Sequence, residues 1–258
     1  MIIFDEKKYA ERILRNKEYE TLKNQGQERC AIVRYLKFEK GYDDEQIMAT
    51  LLKLPMSRDV FLSEEDKKKI YRRIINKSPQ YEYNKDIVVN IYKTELDIIN
   101  SIEDKSRRDL LFCCLVYYKW GKCIFSRSFY SKINNVVMVL EDDDNLYKIA
   151  KLMNLRKKDR QFLFNALLKE KLYVQDIIKG KNYFYIPFSK DKGKDLCITI
   201  SRYNNILGEL YFYNKEEGYK RCVRCGDVIK KNNNKQKYCN NCARLANIEN
   251  TSKNINLK

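Results

Sequence analysis

The sequence predicts a mainly α chain in three parts: a helical N-terminal region, a centre of three helices followed by a β-hairpin, and a small C-terminal module pinned by four cysteines. Three observations carry this. Apolar residues recur at helical spacing over most of the first 170 positions, two β-like runs follow the last strongly periodic segment, and two C-x2-C pairs lie near the C-terminus. The corresponding boundaries are 1–79, 80–214 and 215–258. A chain of 258 residues buries roughly 70–75% of its extended surface, enough for one large core or several small ones.

In the N-terminal part, Asp5 is placed to cap a first helix, and Ile32, Val33 and Leu36 mark the apolar stripe of the helical stretch that Gly41 interrupts. Asp43 then caps a helix carrying Ile47, Leu51 and Leu52, with Pro55 beyond its end. Helix, short turn and helix is the order of a DNA-binding helix-turn-helix, and a plain helical hairpin is the commoner structure with that order. Ser63 and Asp66, three positions apart, open another helix to Ile75, and the Ser78-Pro79 step marks the first boundary.

In the centre, Arg107–Tyr118 forms a helix apolar at Leu110, Leu111, Cys114 and Leu115. A second helix carries Leu146, Ile149, Ala150 and Met153, and a third, over 157–171, buries Leu163, Phe164, Leu167 and Leu168. Two β-like runs, Tyr183–Phe188 and Leu196–Ser201, flank the loop SKDKGKD, where Gly193 is expected to make the turn. Three helices followed by a hairpin is the element order of a winged helix. On the third helix Lys158, Gln161, Asn165 and Lys169 share one polar stripe, opposite the core positions. Gln and Asn pair bidentately with adenine in the major groove and lysines reach phosphates, so the stripe is a candidate reading surface. Lys190, Lys192 and Lys194 would form a basic wing tip.

Between Tyr35 and Phe188 the segments LKFEKGYDDEQI, SRRDLLFCCLVYYKW and LYKIAKLMNLRKKDRQFLFNALLKEKL resemble uncharacterised proteins common in phages and mobile elements of low-GC Gram-positive bacteria, over about 60% of the chain. The resemblance implies a helical N-terminal region, a winged-helix centre and mobile-element biology, and brings no assigned activity. One departure stands out: Arg156 occupies the position where such a third helix usually has a Ser or Thr cap.

Cys222-Val-Arg-Cys225-Gly and Cys239-Asn-Asn-Cys242, thirteen residues apart, have the spacing that closes a tetrahedral thiolate site from two hairpin turns, Gly226 letting the chain turn beneath the metal. The pattern resembles a four-cysteine zinc ribbon and implies one Zn2+. Four protein thiolates leave no open position, so the ion is expected to be structural. The loop between the pairs offers Lys230, Lys231, Lys235 and Lys237 beside Asn232, Asn233 and Asn234 as phosphate contacts. A stapled tail that binds protein is the competing reading.

Composition narrows the chemistry. The chain has no histidine, which excludes a Ser-His-Asp triad, a His-activated cysteine, an HNH or HUH nuclease centre and any His-ligated zinc. Lys plus Arg exceed Asp plus Glu by 4 over residues 1–80, fall short by 1 over 81–150, and exceed them by 7 over 151–220 and by 7 over 221–258. An AT-rich genome would spread lysine evenly, whereas a phosphate footprint clusters it. Among the acids, the run Glu141 to Asp144 reads as a cap by Asp144 with charge complementing a helix N-terminus, and no second acidic motif accompanies it for two-metal catalysis. Cys30, Cys113, Cys114, Cys123 and Cys197 are expected to be core thiols. Nine cysteines, two of them adjacent, suit a reducing compartment.

The longest apolar stretch, Leu110–Tyr118, is about half of the ~20 residues needed to span a bilayer, and Asp5 and Glu6 stand where a secretory signal needs its apolar run. The expectation is a cytoplasmic protein of a bacterial host cell with no membrane contact. Its expected function is non-enzymatic nucleic-acid binding in the replication or transcription control of a phage or plasmid, with DNA as the principal partner and RNA as the other nucleic acid. The first alternative is a protein-interaction module engaging a host protein or ribonucleoprotein, such as an anti-CRISPR-like phage inhibitor of a nucleic-acid-guided defence. The second is a nuclease or primase accessory enzyme.

Overall fold

The structure is a computed structural model, which describes residues 5–17, 19, 25–54, 62–80, 83–85, 87–123, 130–133, 136–141, 155–200, 205–233, 235–240, 242–243 and 246–247. Eight α-helices and three small groups of strands are present among them, and the chain is mainly α with a substantial β component. It groups into two compact units, one built on Met1–Val88 with Trp120–Leu140, the other on Val89–Lys119, Glu141–Ile200 and Asn204–Lys258.

In the first unit, α1 (Glu6–Asn16) starts at Asp5, whose side chain accepts the Lys8 N–H at 2.9 Å. The helix α2 (Gln25–Phe38) is followed by Gly41 at φ +67°, the turn expected there. Next, α3 (Asp44–Leu52) carries a reciprocal capping box between Asp43 and Gln46, and α4 (Glu64–Lys77) is capped by Ser63, which accepts the Asp66 N–H. These helices enclose a core of Ile13, Ala31, Ile32, Val33, Ile47, Leu51, Tyr71 and Ile75. Two guanidinium groups are drawn into it. The Arg34 guanidinium pairs with the Glu6 carboxylate from Nε at 2.8 Å and also donates to the Ser78 carbonyl. The Arg29 guanidinium lies 5.7 and 5.3 Å from the ring centres of Tyr19 and Tyr71. Ser78 is thus buried in a 3-10 turn, Ser78–Gln80, held against α2, and the unit continues to Val88. Pro55 lies outside the described residues.

The second unit begins with β1 (Val89–Tyr92) and α5 (Lys93–Asn100), elements that the periodicity of the sequence does not announce. The long helix α6 (Lys105–Cys123) contains the expected 107–118 segment, with Leu110, Leu111, Cys114 and Leu115 inaccessible. A hairpin of β2 (Tyr130–Ile133) and β3 (Val136–Leu140) belongs to the first unit. The second expected central helix, at Leu146, Ile149, Ala150 and Met153, lies outside the described residues, as do Asp142, Asp143 and Asp144. The helix α7 (Lys157–Lys169) forms two residues shorter than expected and buries Leu163, Phe164 and Leu167, while Leu168 is only half-buried. At its start Arg156 makes no cap, and its guanidinium instead holds Asp159 of the first turn at 2.8 Å.

The hairpin that follows α7 is not the expected one. It is formed by β4 (Val174–Ile178) and β5 (Lys181–Tyr185), with Lys179 at φ +50° and Gly180 at φ +74° as its two central residues. Two consecutive positive φ angles make the tight turn whose twist matches paired strands, so the pairing closes locally. The run Leu196–Ile200, β6, pairs instead with β1 in antiparallel register (Val89 opposite Ile200, Tyr92 opposite Leu196, with Cys197 as the bulge). An aromatic chain joins α6, α7 and β5: Phe164 to Tyr173 at 5.5 Å, Tyr173 to Phe184 at 5.0 Å and Phe184 to Tyr117 at 6.1 Å between ring centres. The last elements are α8 (Ile206–Tyr213), β7 (Tyr219–Arg221) and β8 (Val228–Lys230), the final two an antiparallel pair.

The loop that leads into β6 is held at a buried charge centre. The Glu95 carboxylate, with no exposure, accepts from the Tyr92 N–H at 2.8 Å, from the Lys190 N–H at 2.7 Å and from the Lys119 ammonium at 2.8 Å. Lys119 also donates to the Asn90 carbonyl and stands 4.8 Å from the centre of the Tyr92 ring. The loop between β5 and β6 is therefore bound to β1 and α5. Gly193 is not its turn residue, since its φ is not positive. A Cβ at Gly193 would meet the Tyr92 ring at 2.7 Å, and the glycine is there for this close approach.

Two substitutions probe this centre. Glu95→Ala strands the Lys119 ammonium and two backbone N–H groups in a dry site and should cost about 3–5 kcal/mol, read by urea unfolding. Gly193→Ala should cost about 1–3 kcal/mol as the Tyr92 ring yields, and an unchanged unfolding midpoint would refute the close-approach account.

Candidate functional site

The four C-terminal cysteines are brought together as the spacing anticipated. The Sγ atoms of Cys222, Cys225, Cys239 and Cys242 all lie within 4.8 Å of one another, and the pair Cys225–Cys239 is 3.8 Å apart. With a metal–sulfur distance of about 2.3 Å, the edge of a sulfur tetrahedron is ~3.8 Å, so the set fits a tetrahedral ion of the zinc class. The thiols are positioned by backbone geometry. Cys222 and Cys225 flank the turn between β7 and β8, where the Cys222 N–H donates to the Asp227 carbonyl at 2.8 Å and the Gly226 N–H to the Cys222 carbonyl at 2.9 Å. Gly226 sits at φ +75°, as the turn beneath the sulfurs requires.

The second pair differs from the expectation of two hairpin turns. The Ala243 N–H donates to the Cys239 carbonyl at 2.9 Å, so Cys239 and Cys242 enter a turn of helix. The physical advantage is in the free N–H groups at such a start. The Cys242 N–H is 3.4 Å from the Cys239 sulfur, and the Cys239 N–H is 3.3 Å from the Cys222 sulfur. Burial raises the Cys222 thiol, but the N–H groups of Cys239, Cys225 and Arg224 outweigh it and bring it down to about 6. Burial pushes Cys242 up to about 12 and Cys225 higher still. Four thiols this close cannot all ionise without a cation between them.

The module docks on α8. Asn205 donates its side-chain amide to the Val228 carbonyl, and Arg221 reaches the Glu209 carboxylate at 3.0 Å and the Gly226 carbonyl at 2.9 Å, with its guanidinium 4.8 Å from the Phe212 ring centre. The loop between the cysteine pairs is shaped by its own amides. The Lys235 N–H donates to the Asn233 side chain at 3.0 Å and the Asn232 N–H to that of Gln236 at 2.8 Å. Lys230, Lys231, Lys235 and Lys237 are all exposed; Asn234 lies outside the described residues.

On α7, Lys158, Gln161, Asn165 and Lys169 are all exposed on the face opposite Leu163, Phe164 and Leu167, and no hydrogen bond or ion pair ties their side chains to another described residue. Sequence reasoning passed over Phe162. Lying four residues after Lys158 and three before Asn165, it falls on the same polar stripe and is 72% exposed, which helical spacing alone could have shown. Lys190, Lys192 and Lys194 are exposed as well, but they stand on the loop bound through Glu95 and not at the tip of a hairpin. The tip after α7 is Lys179-Gly180, followed by Lys181, with both lysines exposed.

The remaining cysteines correct the expectation in part. Cys113 and Cys114 are buried, Cys30 and Cys197 are half-buried, and Cys123 is exposed at the end of α6. Cys197 receives the Tyr213 hydroxyl at 3.4 Å. A groove of about 1040 Å³ runs between Cys197–Thr199 of β6, Phe212 and Tyr213 of α8, and Asn232 and Asn233 of the cysteine loop. Its charged lining balances in number, with Lys215, Arg221 and Lys231 against Glu209, Glu216 and Glu217. Glu141 has its amide on the Asn182 carbonyl and its carboxylate on the Gln175 amide, so it serves the β-structure. Among the described residues no helix is long and apolar enough to cross a membrane.

Comparisons with protein-family models, with curated proteins and with solved structures find no match to this chain.

Protein purified without added metal should contain about one equivalent of zinc by elemental analysis, and Cys239→Ser should abolish it. Retention of a full equivalent in that variant would exclude the four-thiol site.

Proposed function

We propose that the chain is a non-enzymatic nucleic-acid-binding protein of a phage or plasmid, acting on DNA in replication or transcription control. The observation that carries the reading is the outer face of α7, where lysines and amides stand exposed and uncommitted while the opposite face supplies the core. Side chains that serve neither packing nor internal pairing are the ones free to engage a ligand. Their chemistry, ammonium at the ends and amide between, matches phosphates flanking base edges.

The surroundings support the same reading. The hairpin β4–β5 follows α7 directly and carries Lys179 and Lys181 at its turn; on this reading α7 and β4–β5 take the places of third helix and wing, the wing one strand earlier than the sequence suggested. We assign the four thiolates one structural Zn2+, held by Cys222, Cys225, Cys239 and Cys242. It supplies no chemistry to a substrate, because no coordination position is left open. With the ion bound the site carries two negative charges, and the exposed lysines of its loop keep the module positive.

A second reading is favoured by the groove beside β6. Its balanced charge and its aromatic wall at Phe212 and Tyr213 suit a protein segment better than a phosphate backbone. On that reading the chain engages a host protein or ribonucleoprotein.

Salt dependence separates the two. Duplex binding through six phosphates gives a slope of log K against log salt of about −5, and Lys158→Ala with Lys169→Ala should flatten it by about 2. Fluorescence anisotropy with a random-sequence duplex measures this. Absence of binding would leave the groove and a protein partner as the reading.

A further inference from the structure

We infer that the outer face of α7 reads A·T base pairs in the major groove, with Phe162 set against the thymine methyl and Gln161 and Asn165 against adenine. This rests on the nucleic-acid reading above and adds what that face recognises. Phe162 is the observation that drives it. At 72% exposed it stands on the side of the helix opposite Leu163, Phe164 and Leu167, where a phenyl ring contributes nothing to the core.

Its neighbours define the partner. Lys158 lies one turn before it, Asn165 and Lys169 one and two turns after it, and Gln161 adjoins it. The nearby acids are neutralised, Asp159 by Arg156 at 2.8 Å and Glu170 by Arg107 at 2.6 Å. The field of the face is therefore cationic, which selects a polyanion. Across the middle of the face the groups are amides and one apolar ring. Guanine is read chiefly by Arg or Lys forks, adenine by Asn or Gln, and the thymine methyl by apolar contact. The only major-groove edge that offers an amide-pairing site together with a methyl group is an A·T pair.

The test uses the full chain and three 20-base-pair duplexes at one salt concentration: alternating dA-dT, the same duplex with dU for every dT, and alternating dG-dC. Uracil differs from thymine only by lacking the methyl, and burying one methyl is worth about a fourfold change in affinity. The parent should prefer the dT duplex to the dU duplex by about that factor, and dG-dC should bind most weakly. In Phe162→Ala the ratio between dT and dU should fall to about one with the salt slope unchanged; Phe162→Ser serves as a second variant.

A parent ratio of one, or a variant that keeps the parent's ratio, overturns the inference while leaving phosphate binding in place. Tighter binding to single-stranded dT20 than to any duplex, lost in Phe162→Ala, overturns it in favour of base stacking. No binding to any of these probes overturns the nucleic-acid reading itself.

Discussion

The second unit is organised around a carboxylate that has no contact with water. Glu95 must be supplied with donors from every side, because an ionised carboxylate in a dry interior is stable only when paired and fully hydrogen-bonded. The donors come from three stretches of chain: the Tyr92 N–H at the end of β1, the Lys119 ammonium from α6, and the Lys190 N–H from the loop ahead of β6. Binding at this one point holds the loop ahead of β6 beside β1, with which β6 pairs. The hairpin after α7 closes separately, at the Lys179-Gly180 turn between β4 and β5.

The cysteine module follows a comparable logic with a different charge. Four sulfurs are drawn within 4.8 Å by a hairpin turn and a turn of helix, and backbone N–H groups are aimed at two of them. Arg221 then ties the module to α8 through the Glu209 carboxylate, whose burial raises its pKa while Arg221 opposes that rise. The side chains of the intervening lysines take no part in this framework, although the backbones of Lys231 and Lys237 do. The loop's shape comes from Asn233 and Gln236, which leaves the ammonium groups in solvent.

The same separation of duties appears on α7. Phe164 enters the aromatic chain with Tyr173 and Phe184, while the opposite side carries Lys158, Gln161, Phe162, Asn165 and Lys169 with no structural task. Lys190, Lys192 and Lys194 differ: their loop is held by Glu95 and by the fit of Gly193 to the Tyr92 ring, so its shape answers to the core. That difference makes α7 and the cysteine loop better candidates for a contact surface than the segment 190–194.

Local features of the fold were legible in the amino-acid sequence. Caps at Asp5, Asp43 and Ser63, the stop at Gly41, the bounds of α7 within two residues and the four thiols are all decided by groups a few residues apart, where the chain has little choice. What tertiary structure decided is long-range pairing. The run Leu196–Ile200 has the alternation of a strand, but alternation does not name a partner, and β1 lies about a hundred residues away. The close approach of Gly193 to Tyr92 and the buried pair of Glu95 with Lys119 are likewise invisible in sequence, since nothing local marks a charge that becomes buried only when distant segments meet. Helical spacing and cysteine spacing are properties of neighbouring residues and are written in the chain, whereas a buried ion centre belongs to the packing and exists only once the chain has folded.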